Sequence, residues 1–369
     1  MVAPLGRSQG GIRRDVEPAL RTRVGTLSGM NVAVLVTGGI SETLQTTPLL
    51  RTLRAGLPQA RLTLLCPASA GLVAAGISPV DEAVALTSLE GRVDGPGAGH
   101  VWGALRRRRL DALLLCSTQA MLRVAAFFAG VPQRIGPGGG VTAALLSGHV
   151  TAEPSENLAA TWLRLARLLG VRVQIHAPSF EPGPEARREA DRVVYGTGLT
   201  DGRLLVALAP GTALTEQDGL SMEATAWAPE RYALLANQLA VRHGAGIVFL
   251  GGPADRDVIE RTMMDLGASA ADLSGERDVR VLAGVIARCD LLVSGDTPLL
   301  HLAAAVGTPA VGLFGPTDGR VRGPYGSDHR IVQAVAPAVP LSSPAGSPGH
   351  APMEQIRVED VLASIEASI

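Results

Sequence analysis

The chain has 369 residues, 46% of them apolar and 18% charged, and its formal net charge is −1. That length allows two domains and that apolar share supplies their cores, which together exclude an intrinsically disordered protein. Near-neutrality and 3% aromatics give the molecule as a whole no drive towards nucleic acid or an anionic membrane, and no stacking platform for single strands.

Residues 1–29 carry Arg, Gly and Ser without an apolar stretch, so they read as a flexible leader and not as a secretory signal. No later stretch reaches the ~18 apolar residues of a membrane span. "NVAVLVT" (31–37) reads as a buried strand, and "GGIS" turns it into the helix "ETLQTTPLLRTLRAG". "RLTLLC", "EAVAL", "DALLLC" and "QRIG" follow as strands, alternating with the helices "ASAGLVAAG", "HVWGALRRRR" and "TQAMLRVAAFFAG". Such alternation predicts βα units on a parallel sheet. "GPGGG" (Gly136–Gly140) lacks the context of a dinucleotide fingerprint and reads as a mobile loop. Next comes the helix "SENLAATWLRLARLLG", with Ser155 expected as N-cap and Gly170 as C-cap.

The Pro/Gly density of "HAPSFEPGPE" (176–185) marks a hinge near residue 180, and the pattern then restarts. "RLLVALA", "GIVFLGG", "CDLLVSG" and "PAVGLFG" read as strands; "APERYALLANQLAVRHG", "PADRDVIERTMMDLG" and "VRVLAGVIARC" read as helices. The reading is therefore α/β: a leader (1–29), two Rossmann-like domains (30–180 and 181–330), an irregular Pro/Ala/Ser-rich segment (331–353) and a closing helix (354–369) expected to pack back on the first domain. Ligands in such sheets bind outside the carboxyl ends of the strands. The loops after Thr37, Ala209, Leu250, Ser294 and Phe314 meet that description, so the expected site is a cleft between the two halves.

All 33 basic residues are Arg, so a phosphate must be held by Arg, backbone N–H, hydroxyl or His. Cys66, Cys116 and Cys289 lie in or beside separate apolar strands and read as reduced thiols of a cytosolic protein. No His/Cys cluster has ligand spacing. Asp255-Arg256-Asp257 imitates an Asp-x-Asp metal motif, but it opens a helix, where acids favour the dipole; no metal or cofactor is expected.

Between two buried strands stands a polar cluster, Asp296-Thr297-Pro298, with His301 about one turn along. A helix start attracts phosphate through its N–H groups and dipole. The same residues could instead serve only as a cap, with Asp296 or Thr297 at N-cap and Pro298 at N1. Gly211 and Thr212 follow a buried strand and offer a second phosphate loop or an ordinary turn. Arg320 and Arg322, after "FGPT", are surface charges or the cations a diphosphate needs.

Asp296-Thr297-Pro298-Leu299-Leu300-His301, the Ala-rich helix behind it and Phe314-Gly315-Pro316-Thr317 resemble glycosyltransferase family 9, the ADP-heptose:lipopolysaccharide heptosyltransferases. "TPLLRTLRAGLPQA", "PQRIG", "APGT", "WAPERYALLA" and "FLGGPADRD" resemble the same family. The resemblance implies a GT-B architecture and inverting, metal-independent transfer of a sugar, heptose or similar, from a nucleotide-diphosphate donor such as ADP-heptose to a glycan or glycolipid acceptor such as lipopolysaccharide core. It implies contact with a membrane that is peripheral at most, at its cytoplasmic face, with the first domain on the acceptor side. By position it makes Glu42 the general base and Gly211, Thr212, Asp296, Thr297, His301, Arg320 and Arg322 the donor-binding set. Three positions depart from the family: Ser41-Glu42 stands for its Gly-Asp pair, Thr225-Ala226 precedes Trp227 where a Lys is usual, and Pro298 replaces a Gly. Two alternatives stay open, a member that binds nucleotide or glycan without turnover and another GT-B nucleotide-sugar enzyme such as an epimerase.

Overall fold

The computed structural model describes residues 29–153, 155–199, 204–211, 226–276, 278–334 and 353–368. Among the described residues, twelve strands build two six-stranded sheets. The first contains β1 (Asn31–Val36), β2 (Arg61–Pro67), β3 (Glu82–Leu86), β4 (Ala112–Cys116), β5 (Gln133–Pro137) and β6 (Gly148–Val150), in the order β3-β2-β1-β4-β5-β6. The second contains β7 (Leu205–Ala209), β8 (Gly246–Leu250), β9 (Ala270–Leu273), β10 (Leu291–Gly295), β11 (Ala310–Phe314) and β12 (His329–Gln333), in the order β12-β11-β10-β7-β8-β9. Every pairing is parallel. Each domain thus repeats the doubly wound order, whose direction reverses between its first and fourth strands. These switch points lie between β1 and β4 and between β7 and β10.

In the first domain the helices are α1 (Ile40–Gln45), α2 (Thr47–Gly56), α3 (Gly71–Ala74), α4 (Gly95–Arg108), α5 (Ala120–Phe128) and α6 (Leu158–Leu165). One sheet face packs Leu35, Leu113 and Leu115 against Val101, Leu105 and Leu122 of α4 and α5. The other packs Val34, Leu64 and Leu114 against Leu49 and Leu53 of α2 and Trp162 of α6. The second domain holds α7 (Pro184–Gly196), α8 (Pro229–His243), α9 (Arg256–Met264), α10 (Val279–Ile286), α11 (Pro298–Val306) and α12 (Gly319–Arg322), and α13 (Val358–Glu366) follows. Close crossing of α7 and α10 needs a small residue: a Cβ on Gly284 would lie 2.7 Å from that of Ala190.

The core on one face of the second sheet takes in Leu44 and Val73 from the first domain and Phe180 from the linker, packed with Leu299, Leu300 and Leu302. The domains therefore meet through an apolar seam. Burial of a leucine such as Leu44 is worth about 1.5–3 kcal/mol. The linker is strapped to both sides: Ser179 N donates to Thr47 Oγ1, Phe180 N to Ala305 O and Glu181 N to Gly76 O.

Several expectations need correcting. The second domain does not end at 330, because β12 runs to Gln333 and pairs with β11. The closing helix α13 packs on the second domain, with Val361, Leu362 and Ile365 in the core of Trp227, Tyr232 and Phe249. Asn157, not Ser155, caps α6, accepting from Ala159 N. Gly136–Gly140 is no free loop: Gly136 and Pro137 belong to β5, and the buried Arg123 guanidinium donates to Pro137 O, Gly139 O and Thr142 Oγ1.

Candidate functional site

At the first switch point, β1 ends at Val36 beside Cys116 of β4, and Thr37 Oγ1 donates to Ser117 Oγ at 3.0 Å. Gly38 and Gly39 turn the chain into α1, which carries Glu42 in its first turn. A Cβ on Gly38 would overlap the Glu42 carboxyl. The glycine is what lets the carboxyl lie across the turn. Its charge also reaches Cys116, whose thiol is pushed well above the ordinary value by burial first and by Glu42 second. Glu42 therefore stands at the carboxyl end of the first sheet.

At the second switch point, β7 ends at Ala209 beside Ser294 of β10. Gly211 sits just beyond, and a Cβ there would overlap the Asp255 carboxyl. Asp255 is buried and accepts from Gly252 N at 2.8 Å, holding the turn after β8. Thr212 lies outside the described residues. Among the described residues no group of three or more His, Cys, Asp or Glu is arranged to hold a metal ion.

Thr297 is the N-cap of α11 and Pro298 its first residue. The Thr297 hydroxyl is engaged with Ser294 Oγ at 2.8 Å. Pro298 brings no N–H to this helix start. Asp296 is buried and accepts from Arg322 Nε at 2.7 Å. The two arginines separate here: Arg322 is drawn in beside the α11 N-terminus, whereas Arg320 pairs with its own N-cap Asp318 and is 70% exposed.

His301 is buried in the seam, not on an open wall. Its Nδ1 accepts from Gln45 Nε2 at 3.1 Å, and that amide also donates to Arg322 O at 3.4 Å. Burial, then Arg322 and His329, depresses the His301 imidazolium to about 3. A neutral ring accepting at Nδ1 carries its proton on Nε2. It can hydrogen-bond but brings no charge to a phosphate; Arg322 supplies charge at this end of the cleft. Asn157 Nδ2 adds a second clasp across the domains, to Gly323 O at 2.9 Å.

The cluster thus joins Gln45, Asp296, Thr297, His301 and Arg322, with Glu42 three residues before Gln45 on α1 and Gly211 on the adjacent strand end. Sequence reading missed Gln45, Asn157 and Gln333. Gln333 Nε2 donates to Phe314 O, Gly315 O and Thr317 O at 3.0–3.1 Å, stapling the Phe-Gly-Pro-Thr loop from β12. Its one signal was a glutamine inside "HRIVQ", a short run flanked by polar residues.

The profile of glycosyltransferase family 9 (heptosyltransferase) matches residues 99–342. The chain belongs to this family. Lipopolysaccharide heptosyltransferase 2 of Escherichia coli K12 is 24% identical over 316 residues, 83% of this chain and 88% of that protein. The crystal structure of a family 9 glycosyltransferase from Veillonella parvula superposes with a TM-score of 0.76 at 19% identity, covering 93% of this chain and 97% of that one. E. coli heptosyltransferase WaaC, solved with ADP-2-deoxy-2-fluoro heptose, superposes at 0.67 and 17% identity, covering 92% of this chain and all of that one. As a family 9 member the chain is a glycosyltransferase, and its two parallel sheets have the architecture of these heptosyltransferase structures.

Proposed function

We propose that the protein transfers heptose from a nucleoside-diphosphate donor such as ADP-heptose to a hydroxyl of a glycan or glycolipid of the lipopolysaccharide-core kind, with inversion and without a metal. The observation that carries this is the opposition of two switch points across one seam. A carboxylate stands on one and a helix start with a held arginine on the other. Family membership, and relatives named for heptose transfer to lipopolysaccharide, supply the substrate class. Glu42 takes the proton of the acceptor hydroxyl. The acceptor oxygen bonds to the anomeric carbon from the face opposite the donor diphosphate. The bond to that diphosphate breaks, and the nucleoside diphosphate departs with the electron pair. Arg322, oriented by Asp296, and the positive end of the α11 helix stabilise the growing charge, and Gly211 and Thr212 are the further donor-binding residues of this reading. His301, through Gln45, holds that helix against the acceptor-side domain. Arg320 stands further out as a cation for donor entry.

Binding is tested by thermal shift with a panel of nucleoside diphosphates, with and without EDTA. ADP should raise the melting temperature equally in both, because it binds only the folded cleft. A shift abolished by EDTA would contradict the metal-free reading. Pro298, which removes a donor from the helix start, favours a second reading, a binder without turnover. On that reading the ADP shift persists but no nucleotide is released from any donor.

A further inference from the structure

α12 spans only Gly319–Arg322, a single turn, which is too short to hold its own pose. Yet it carries Arg322, whose Nε donates to the buried Asp296 at 2.7 Å. Two side-chain amides grip the turn, one at each end. At its start Gly319 N donates to Gln333 Oε1 at 2.9 Å, while Gln333 Nε2 donates to Phe314 O, Gly315 O and Thr317 O at 3.0–3.1 Å. Just past its end Gly323 O accepts from Asn157 Nδ2 at 2.9 Å. Each amide is used at both of its polar atoms, because Asn157 Oδ1 also caps α6, accepting from Ala159 N at 3.0 Å. An ionised Asp would cap α6 equally well but has no N–H to send across to Gly323. Glycines at both ends let the turn lie flat. A Cβ on Gly319 would come within 2.5 Å of Ile331 and 2.8 Å of Phe314, and one on Gly323 within 2.7 Å of Ile331.

We propose that Asn157 and Gln333 are positioning residues for Arg322. They pin α12 from opposite domains, Gln333 from β12 and Asn157 from α6, so that the guanidinium meets the donor diphosphate in one fixed pose. The inference rests on the reading above, in which Arg322 and the start of α11 face that diphosphate. Neither amide need touch the ligand. Their bonds land on the backbone of the segment that carries the arginine, and a cation already in place where charge gathers acts more strongly than one ordered at each encounter. Asn157 has a further consequence. Its hydrogen bond crosses from the first domain, so the pose of a donor-side cation depends on the acceptor-side domain.

The test is ADP affinity by titration calorimetry in the full chain, which needs no turnover. The variants are Asn157→Ser, Gln333→Met, Arg322→Gln and the two doubles that combine Arg322→Gln with each of the others. Asn157→Ser keeps a helix cap and gives up the amide that reaches Gly323. Gln333→Met keeps the length of the side chain without its hydrogen bonds. Arg322→Gln should weaken ADP about 10-fold or more, as expected for a lost charge-assisted bond. Asn157→Ser and Gln333→Met should each weaken it about 3–10-fold, and both losses should vanish in the Arg322→Gln background. Side chains that only stabilise the fold would lower the melting temperature without this dependence on residue 322. The proposal is overturned if both single variants bind ADP as the parent does, or if their losses are as large without Arg322 as with it; the donor reading would survive either result. A parent that does not bind ADP, or an Arg322→Gln variant that binds it unchanged, would overturn the assignment of Arg322 to the donor and this inference with it.

Discussion

Glu42 and Gly38 act as one unit, because the carboxyl lies where any Cβ on residue 38 would be. Gly38→Ala should therefore reduce transfer by displacing Glu42, with nucleotide binding intact. An unchanged rate in Gly38→Ala would show that the carboxyl's present position is not the working one. His301 makes a separate prediction. Its folded value, about 3, lies below the ordinary 6.5, so between those values the unfolded chain binds a proton that the folded chain does not. Stability from this group is whole above pH 6.5 and is lost as pH falls towards 3. His301→Asn keeps a hydrogen-bonding side chain and removes the titration. Melting temperature measured across that window should decline less steeply in the variant; an identical slope would place the acid sensitivity elsewhere.

Among the elements, α1 has two duties, carrying Glu42 at the strand end of the first domain and sending Gln45 to His301 in the second. Gln45→Ala leaves the buried imidazole without that donor and should cost about 1–3 kcal/mol, read from chemical denaturation. The loss should shrink in the His301→Ala background, because the two residues share one interaction. Additive losses would mean they act independently. Elements of this kind mark the limit of what the sequence shows. The central strands were legible because "NVAVLV", "ALLLC" and "LVALA" are buried on both faces and read as continuous apolar runs. β6, β9 and β12 were not: they lie at sheet edges, and "GHV", "AADL" and "HRIVQ" are short and partly polar. Thr297 and Pro298 were legible as a helix start because capping is local. Gln45 was not, since its partner lies 256 residues away. Arg123 in "AMLRVAAFF" likewise reads as an exposed helix arginine until the fold brings the Gly-rich loop against it.

For the whole molecule, two copies of one doubly wound sheet face each other through a seam that is apolar at Leu44, Val73 and Phe180 and polar at Gln45 and Asn157. The family's identity was readable from short motifs, of which the most specific, Asp296–His301 and Phe314–Thr317, lie at the carboxyl ends of β10 and β11. Glu42 and Pro298 stand in the first turns of α1 and α11, the helices that follow β1 and β10. The most direct test of the central claim is acceptor-dependent release of ADP from ADP-heptose, with deacylated lipopolysaccharide core as acceptor and EDTA present, by the parent and by Glu42→Gln. The account predicts release by the parent and a rate about 10²–10⁴-fold lower in Glu42→Gln, while ADP raises the melting temperature of both alike. A parent that binds ADP but releases none from the donor, or a Glu42→Gln variant that turns over at the parental rate, would contradict it.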